Sequence, residues 1–210
     1  MPREPILNAV RSALGRRAGQ APPPLPPARI VVPEMDLETR IERLLASVSA
    51  LAGRTCRAGS REAAREYVAG VLDGRPAVAS NAPFLSACGI TALPQVRSGI
   101  HNREELRQIC ATIPVGITSA DYALADPGSL VMLSSPEEAR MISLLPPVHI
   151  AVVPSDRVIT GLDELFSLLP NPAGISSSLV LITGPSRTAD IEQILVRGVH
   201  GPGELHVVVV

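Results

Sequence analysis

A chain of 210 residues with 46% apolar content and a formal charge of −1 bounds one ordinary globular domain with a self-sufficient core. That near-neutral balance gives no electrostatic footing for nucleic acid or an anionic membrane, and 2% aromatics leave no base-stacking platform. All 19 basic residues are arginine, so Schiff-base and phosphate-loop lysines are both excluded.

In chain order, residues 4–14 place Ile6, Leu7, Val10 and Leu14 at helical spacing, and Gly15 ends the helix. Residues 21–35 follow as a proline-rich linker, APPPLPP at its start, so residues 1–20 read as a tethered arm. Such an arm is either loose or a dock for a partner or a second copy, which leaves a homo-oligomer open. The compact domain is expected over 36–210. It opens with an amphipathic helix over 36–52, capped by Asp36. Further helices are predicted over 60–72, 102–113, 136–145 and 161–169. Strands are predicted at 77–79, 148–153, 179–183 and 205–210, with two strand-like stretches flanking a turn between 115 and 134. Strands alternating with helices of about ten residues argue for an α/β sheet covered on both faces.

Two stretches concentrate polar chemistry. In VGITSADYALADPGSLVM (115–132), Asp121 and Asp126 stand at strand ends. They are candidates for a catalytic base and a ligand acceptor, although aspartates and serines also serve simply as turn formers. In LVLITGPSRTADIE (179–192), an apolar run meets Gly184-Pro185 and then Ser186, Arg187, Thr188, Asp190 and Glu192. The spacing of Ile191, Ile194 and Leu195 predicts a helix there, with Thr188 as its cap. A strand, glycine turn and helix N-terminus in that order form a frequent anion site of α/β proteins. Ser186, Arg187 and Thr188 are the expected ligand-binding residues, and Asp190 an expected acid or base. His200, between Gly198 and Gly201-Pro202, joins Asp121 and Asp190 as a candidate catalytic group. His149 and His206 lie in apolar strands and read as satisfied core residues. These candidates are expected around one cleft at the carboxyl ends of the strands.

Several classes are disfavoured. Cys56, Cys88 and Cys110 are scattered, with no C-x-x-C pair, so no usual zinc or iron–sulfur pattern exists, and no metal site is expected. Neither G-x-S-x-G nor G-x-G-x-x-G occurs. No apolar stretch approaches the ~20 residues that span a bilayer, and no signal segment precedes Pro22, so a cytoplasmic location is expected.

The motifs G-x-T-x-A-D-x-x-x-A-D (from Gly116), GPSRTADIE (from Gly184) and GVHGP (from Gly198) resemble the LUD-domain family, and within it the lactate utilization protein C group, over about residues 36–210. The resemblance implies a three-layer α/β/α fold with a mostly parallel sheet, similar to the NagB/ribose-5-phosphate isomerase/CoA-transferase group. It also implies a part in oxidising L-lactate to pyruvate alongside two iron–sulfur partner proteins, with no cofactor in this chain. Pro127 departs from the family pattern, which has threonine there. A small carboxylate or another anion is the expected ligand. The alternative implied by fold kinship alone is a stand-alone enzyme or binding protein for a phosphosugar or acyl-CoA-like anion.

Overall fold

The computed structural model describes residues 3–17, 19–21, 35–191 and 194–210. The proline-rich linker expected over 21–35 therefore lies almost wholly outside the described residues. The chain divides into two compact units, Met1–Val31 and Val32–Val210. In the first, α1 (Arg3–Ala13) forms as its periodicity predicts and buries no residue. Gly15 follows it with a positive φ of 64°.

The second unit is built on a parallel sheet of six strands. These are β1 (Arg54–Arg57), β2 (Ala77–Ala79), β3 (Val96–Arg97), β4 (Val115–Ser119), β7 (Val148–Val153) and β12 (Glu204–Val209). They lie in the order β1-β12-β7-β4-β2-β3, and every pairing is parallel. Each residue of β7 is buried, as expected for a central strand covered on both faces.

Alternate side chains of the sheet feed two separate cores, because successive residues of a strand face opposite ways. On one face Ile117, Ile150 and Val208 pack under α3 (Arg61–Leu72) and α4 (Pro83–Ala87) through Val68, Leu72 and Leu85. On the other, Ala151, Val153 and Val207 meet Ile41, Leu44 and Val48 of α2 (Leu37–Ala50). Cys110 of α5 (Arg103–Thr112) packs on Val78 from that same side. The helices are punctuated as their sequences dictate. Asp36 accepts the Thr39 N–H at 2.8 Å, Ser60 accepts the Ala63 N–H at 3.1 Å, and Asn102 accepts those of Glu104 and Glu105 at 3.0 and 2.9 Å.

A second sheet lies against the α2 face. It contains β5 (Tyr122–Leu124), β6 (Ser129–Leu133), β8 (Val158–Ile159) and β9 (Leu179–Ile182), ordered β8-β5-β6-β9. Its inner side joins the α2 core through Ala123, Leu130 and Met132, and its outer side is covered by α6 (Leu162–Leu168) through Leu165. The turn between β5 and β6 presses on α2: Gly128 has φ +89°, and a Cβ there would stand 2.4 Å from that of Ser47.

Three sequence expectations are corrected. Residues 179–182 are not a buried strand of the main sheet: β9 is the half-exposed edge of the second sheet, antiparallel to β6. The helix expected after Thr188 is instead a ribbon, with β10 (Arg187–Ile191) antiparallel to β11 (Ile194–Arg197). Within 136–145 the only helical turn is a 3-10 one at Arg140–Ser143. For the last two, local preference and tertiary contact both enter. β-Branched residues recur through 188–196, which suits a ribbon. The 140–146 segment must cross β4 at Gly116, where a Cβ would meet the Ile142 carbonyl oxygen at 2.0 Å, and a full helix does not fit so close.

Candidate functional site

The polar groups fall at the two opposite ends of the main sheet. Ser119 closes β4 beside Val152 near the end of β7, so Asp121, two residues on, lies at the carboxyl end. Glu204 opens β12 beside Val148, so the loop 198–203 lies at the amino end. Ser186 is tied to that loop: its N–H donates to the Pro202 carbonyl at 2.8 Å, and its carbonyl accepts the Gly198 N–H at 3.0 Å. The single cleft expected from the sequence is therefore not formed. Asp121 stands at one end of the strands, whereas Ser186, Arg187 and His200 stand at the other.

At the amino end, Ser186 and His200 do meet. They line a cavity of about 180 Å³ whose walls include Leu144, His149, Val180, Ile182 and Leu205. An open groove of about 550 Å³ shares His200, Leu144 and Gly201 with it and carries Arg197. Arg187, the cation expected from the sequence, points elsewhere. Its Nη2 donates to the Leu51 carbonyl and so ties β10 to the end of α2. Its partner across the ribbon is Arg197, which supplies the cation of the groove instead. Thr188 caps no helix, since it pairs with Val196 within the ribbon. Asp190 belongs to β10, but its side chain lies outside the described part, as does all of Glu192.

His149 is the group sequence reasoning missed here. It is 1% exposed, and its Nε2 lies 2.7 Å from Thr118 Oγ1, while Nδ1 has no partner within the chain. Burial pushes it down to about 3, with His206 adding to the effect, so the ring is neutral under ordinary conditions. His206, by contrast, is satisfied on both nitrogens, by Tyr67 Oη at 2.9 Å and Glu204 Oε1 at 2.8 Å. The strand pattern marks both histidines as buried and does not show which one borders a hollow.

At the carboxyl end, Asp121 Oδ2 accepts the Leu133 N–H at 2.7 Å, and its own N–H donates to the Val131 carbonyl at 3.0 Å. The side chain thus locks the β5–β6 pair, and burial pushes its carboxyl up. Asp126 pairs with Arg43 of α2 at 2.5 Å, and its N–H donates to the Thr160 carbonyl. That pair anchors the turn and leaves Asp126 outside either hollow described above. A second missed group is Glu138. It is 7% exposed, and its Oε2 accepts Ser80 Oγ–H at 2.7 Å and the Ser119 N–H at 3.1 Å. The spacing Ser135-Pro-Glu-Glu138 resembles a capping box. Ser135 Oγ does accept the Glu138 N–H at 2.9 Å, but the carboxyl turns into the sheet rather than back to the serine. Among the described residues no group of three His, Cys, Asp or Glu is placed to hold a metal ion, and no helix is long and apolar enough to cross a membrane.

An all-parallel main sheet with helices on both faces defines the open α/β class. Within it, the chain belongs to the LUD-domain family, whose model matches residues 41–210. It is 34% identical to lactate utilization protein C of Halalkalibacterium halodurans over 149 residues, 67% of this chain and 65% of that one. It is 40% identical to lactate utilization protein C of Bacillus subtilis over 92 residues, 42% of this chain and 38% of that one. The matched segments thus span less than two thirds of these relatives. A crystal structure of a DUF162 family protein from Deinococcus radiodurans superposes with a TM-score of 0.65 at 17% identity, covering 84% of this chain and 99% of that one, and the likeness is one of fold.

Proposed function

We propose that this protein serves lactate utilization as the component that carries no cluster, holding lactate or pyruvate at the amino end of the sheet while two iron–sulfur partners take up the electrons. Oxidation of L-lactate to pyruvate releases two electrons and two protons, one from the hydroxyl and one from C2, so a chain acting without a redox group of its own needs an electron acceptor beside it. The relatives named lactate utilization protein C support the pathway assignment. The placement of Cys56 in β1, Cys88 beyond α4 and Cys110 in α5 supports assigning the clusters to partners.

One observation carries the reading: the amino-end cavity has the size and the mixed lining of a short hydroxy acid. Leu144, Val180, Ile182 and Leu205 offer an apolar wall to a methyl group. Ser186 and His200 stand at its polar side, with Arg197 in the adjoining groove to attract a carboxylate. In the tautomer that donates Nε2–H to Thr118, neutral His149 keeps a lone pair on Nδ1 for a hydroxyl.

Calorimetric titration of the full chain with L-lactate and with pyruvate tests this. Binding is expected in the unaltered protein, weakened several-fold in Ser186→Ala and abolished in Val180→Phe, which fills the cavity. Equal binding by Val180→Phe, or none by the unaltered chain, defeats the assignment. The subunit role fails if the two iron–sulfur partners oxidise lactate fully on their own.

A further inference from the structure

The carboxyl end of the sheet carries a feature that the lactate reading does not use. β2 continues into α4 on one face of the sheet, whereas β4 continues into the second sheet on the opposite face. Adjacent strands whose connections leave on opposite faces open a crevice between their tips, and in open α/β sheets ligands bind at such points. Glu138 stands in that crevice, its Oε2 bridged to Ser80 just beyond β2 and to Ser119 at the end of β4. Two donors converge on Oε2, whereas Oε1 is buried with no partner within the chain. With the Ser80 Oγ–H and the Ser119 N–H both donated to Oε2, the neutral acid carries its proton on Oε1. Burial, with the Asp121 carboxylate adding, pushes Glu138 up to about 8, so the neutral acid prevails at pH 7. Asp121 is the charged group acting on it, and the Arg157 guanidinium acts in turn on Asp121.

We propose that the tips of β2 and β4 form a second ligand site, in which the Glu138 Oε1–H donates to a carbonyl or carboxylate oxygen of a small molecule. A buried O–H without an acceptor is costly, and an sp² oxygen is the complement it lacks. A carboxylate gives a charge-assisted bond but meets the Asp121 carboxylate, whereas a neutral carbonyl gives a weaker bond without that repulsion. The site is distinct from the amino-end cavity and does not rest on it.

The test is carboxyl NMR of the full chain labelled with ¹³C-glutamate, with the Glu138 resonance assigned by its loss in Glu138→Gln. Acetate and acetamide are the probes, one anionic and one neutral. A probe accepted by Oε1–H moves the Glu138 midpoint to higher pH. A shift with acetate assigns the site to carboxylates, and a shift with acetamide alone assigns it to neutral carbonyls. For acetate, affinity is expected to fall about tenfold between pH 7 and pH 9, as the donor ionises. Glu138→Gln keeps a neutral donor in place, so its acetate affinity is expected to stay level over that range. No midpoint shift with either probe overturns the proposal, as does an unchanged pH dependence of binding in Glu138→Gln. Because the readout is the Glu138 signal itself, the result is independent of what binds at His200.

Discussion

At the scale of single residues, Gly116 links the two ends of the main sheet. It is the second residue of β4, with the segment 140–146 directly over it, the Ile142 carbonyl oxygen 2.0 Å and Pro146 Cγ 3.0 Å from where a Cβ would stand. That segment begins beside Glu138 at one end of the sheet and delivers Ser143 and Leu144 to the cavity at the other. Because the nearest atom belongs to the backbone, the strand and the segment must separate before any side chain fits. Gly116→Ala is therefore expected to lower stability by about 1–3 kcal/mol, read as a shift of the urea midpoint at unchanged slope. It should also weaken lactate binding in calorimetry, since Leu144 moves with the segment. Gly70 is the control: a Cβ there meets nothing within 4 Å, and it lies inside α3, so Gly70→Ala should be neutral or stabilising.

At the scale of elements, the sequence was most readable where local chemistry and tertiary need agree. α2, α3 and α5 begin at the polar caps that their sequences announce, and β7 and β12 lie where largely apolar runs, each holding one histidine, place them. Ser60→Ala and Asn102→Ala should each cost about 1 kcal/mol in urea denaturation, because each removes a side-chain acceptor of first-turn N–H groups. Costs near zero would show that water replaces these caps without loss. Legibility failed where one sequence satisfies two periods. Ile191, Ile194 and Leu195 fit a helix face, yet the stretch also holds the β-branched residues that a ribbon favours. Bonds from Ser186 to Pro202 and Gly198 decide between them, and those partners are remote until the sheet has formed. The candidate site was half legible for the same reason. Ser186 and His200 were recoverable from glycine-rich motifs, whereas Glu138 and Arg197 acquire their roles only from neighbours brought in by the fold. Glycine turns mark where a chain bends but not toward which end of a sheet, so Asp121 and Arg187 could be placed together in sequence and apart in space.

At the scale of the whole molecule, two buried titratable groups shape stability against pH, and their signs oppose. His149 falls to about 3 from an ordinary value of 6.5, so between those values the unfolded chain binds a proton that the folded one refuses. Stability from this group is intact above pH 6.5 and is lost as pH falls toward 3. Glu138 rises to about 8 from 4.5, so between those values the folded chain holds a proton that the unfolded one has released. Its contribution is intact below pH 4.5 and is lost as pH rises toward 8. Each group carries a slope of about 1.4 kcal/mol per pH unit within its own window. Between pH 4.5 and 6.5 the two slopes cancel, which leaves a plateau with a falling flank on either side. Glu138→Gln should remove the alkaline flank between pH 6.5 and 8 while preserving the acid one. His149→Gln should remove the contribution of that ring to the acid flank while preserving the alkaline one. Urea denaturation of both variants and the parent across this range decides the matter: if the alkaline flank persists in Glu138→Gln, its source lies elsewhere and the buried neutral acid between β2 and β4 is not the group that titrates.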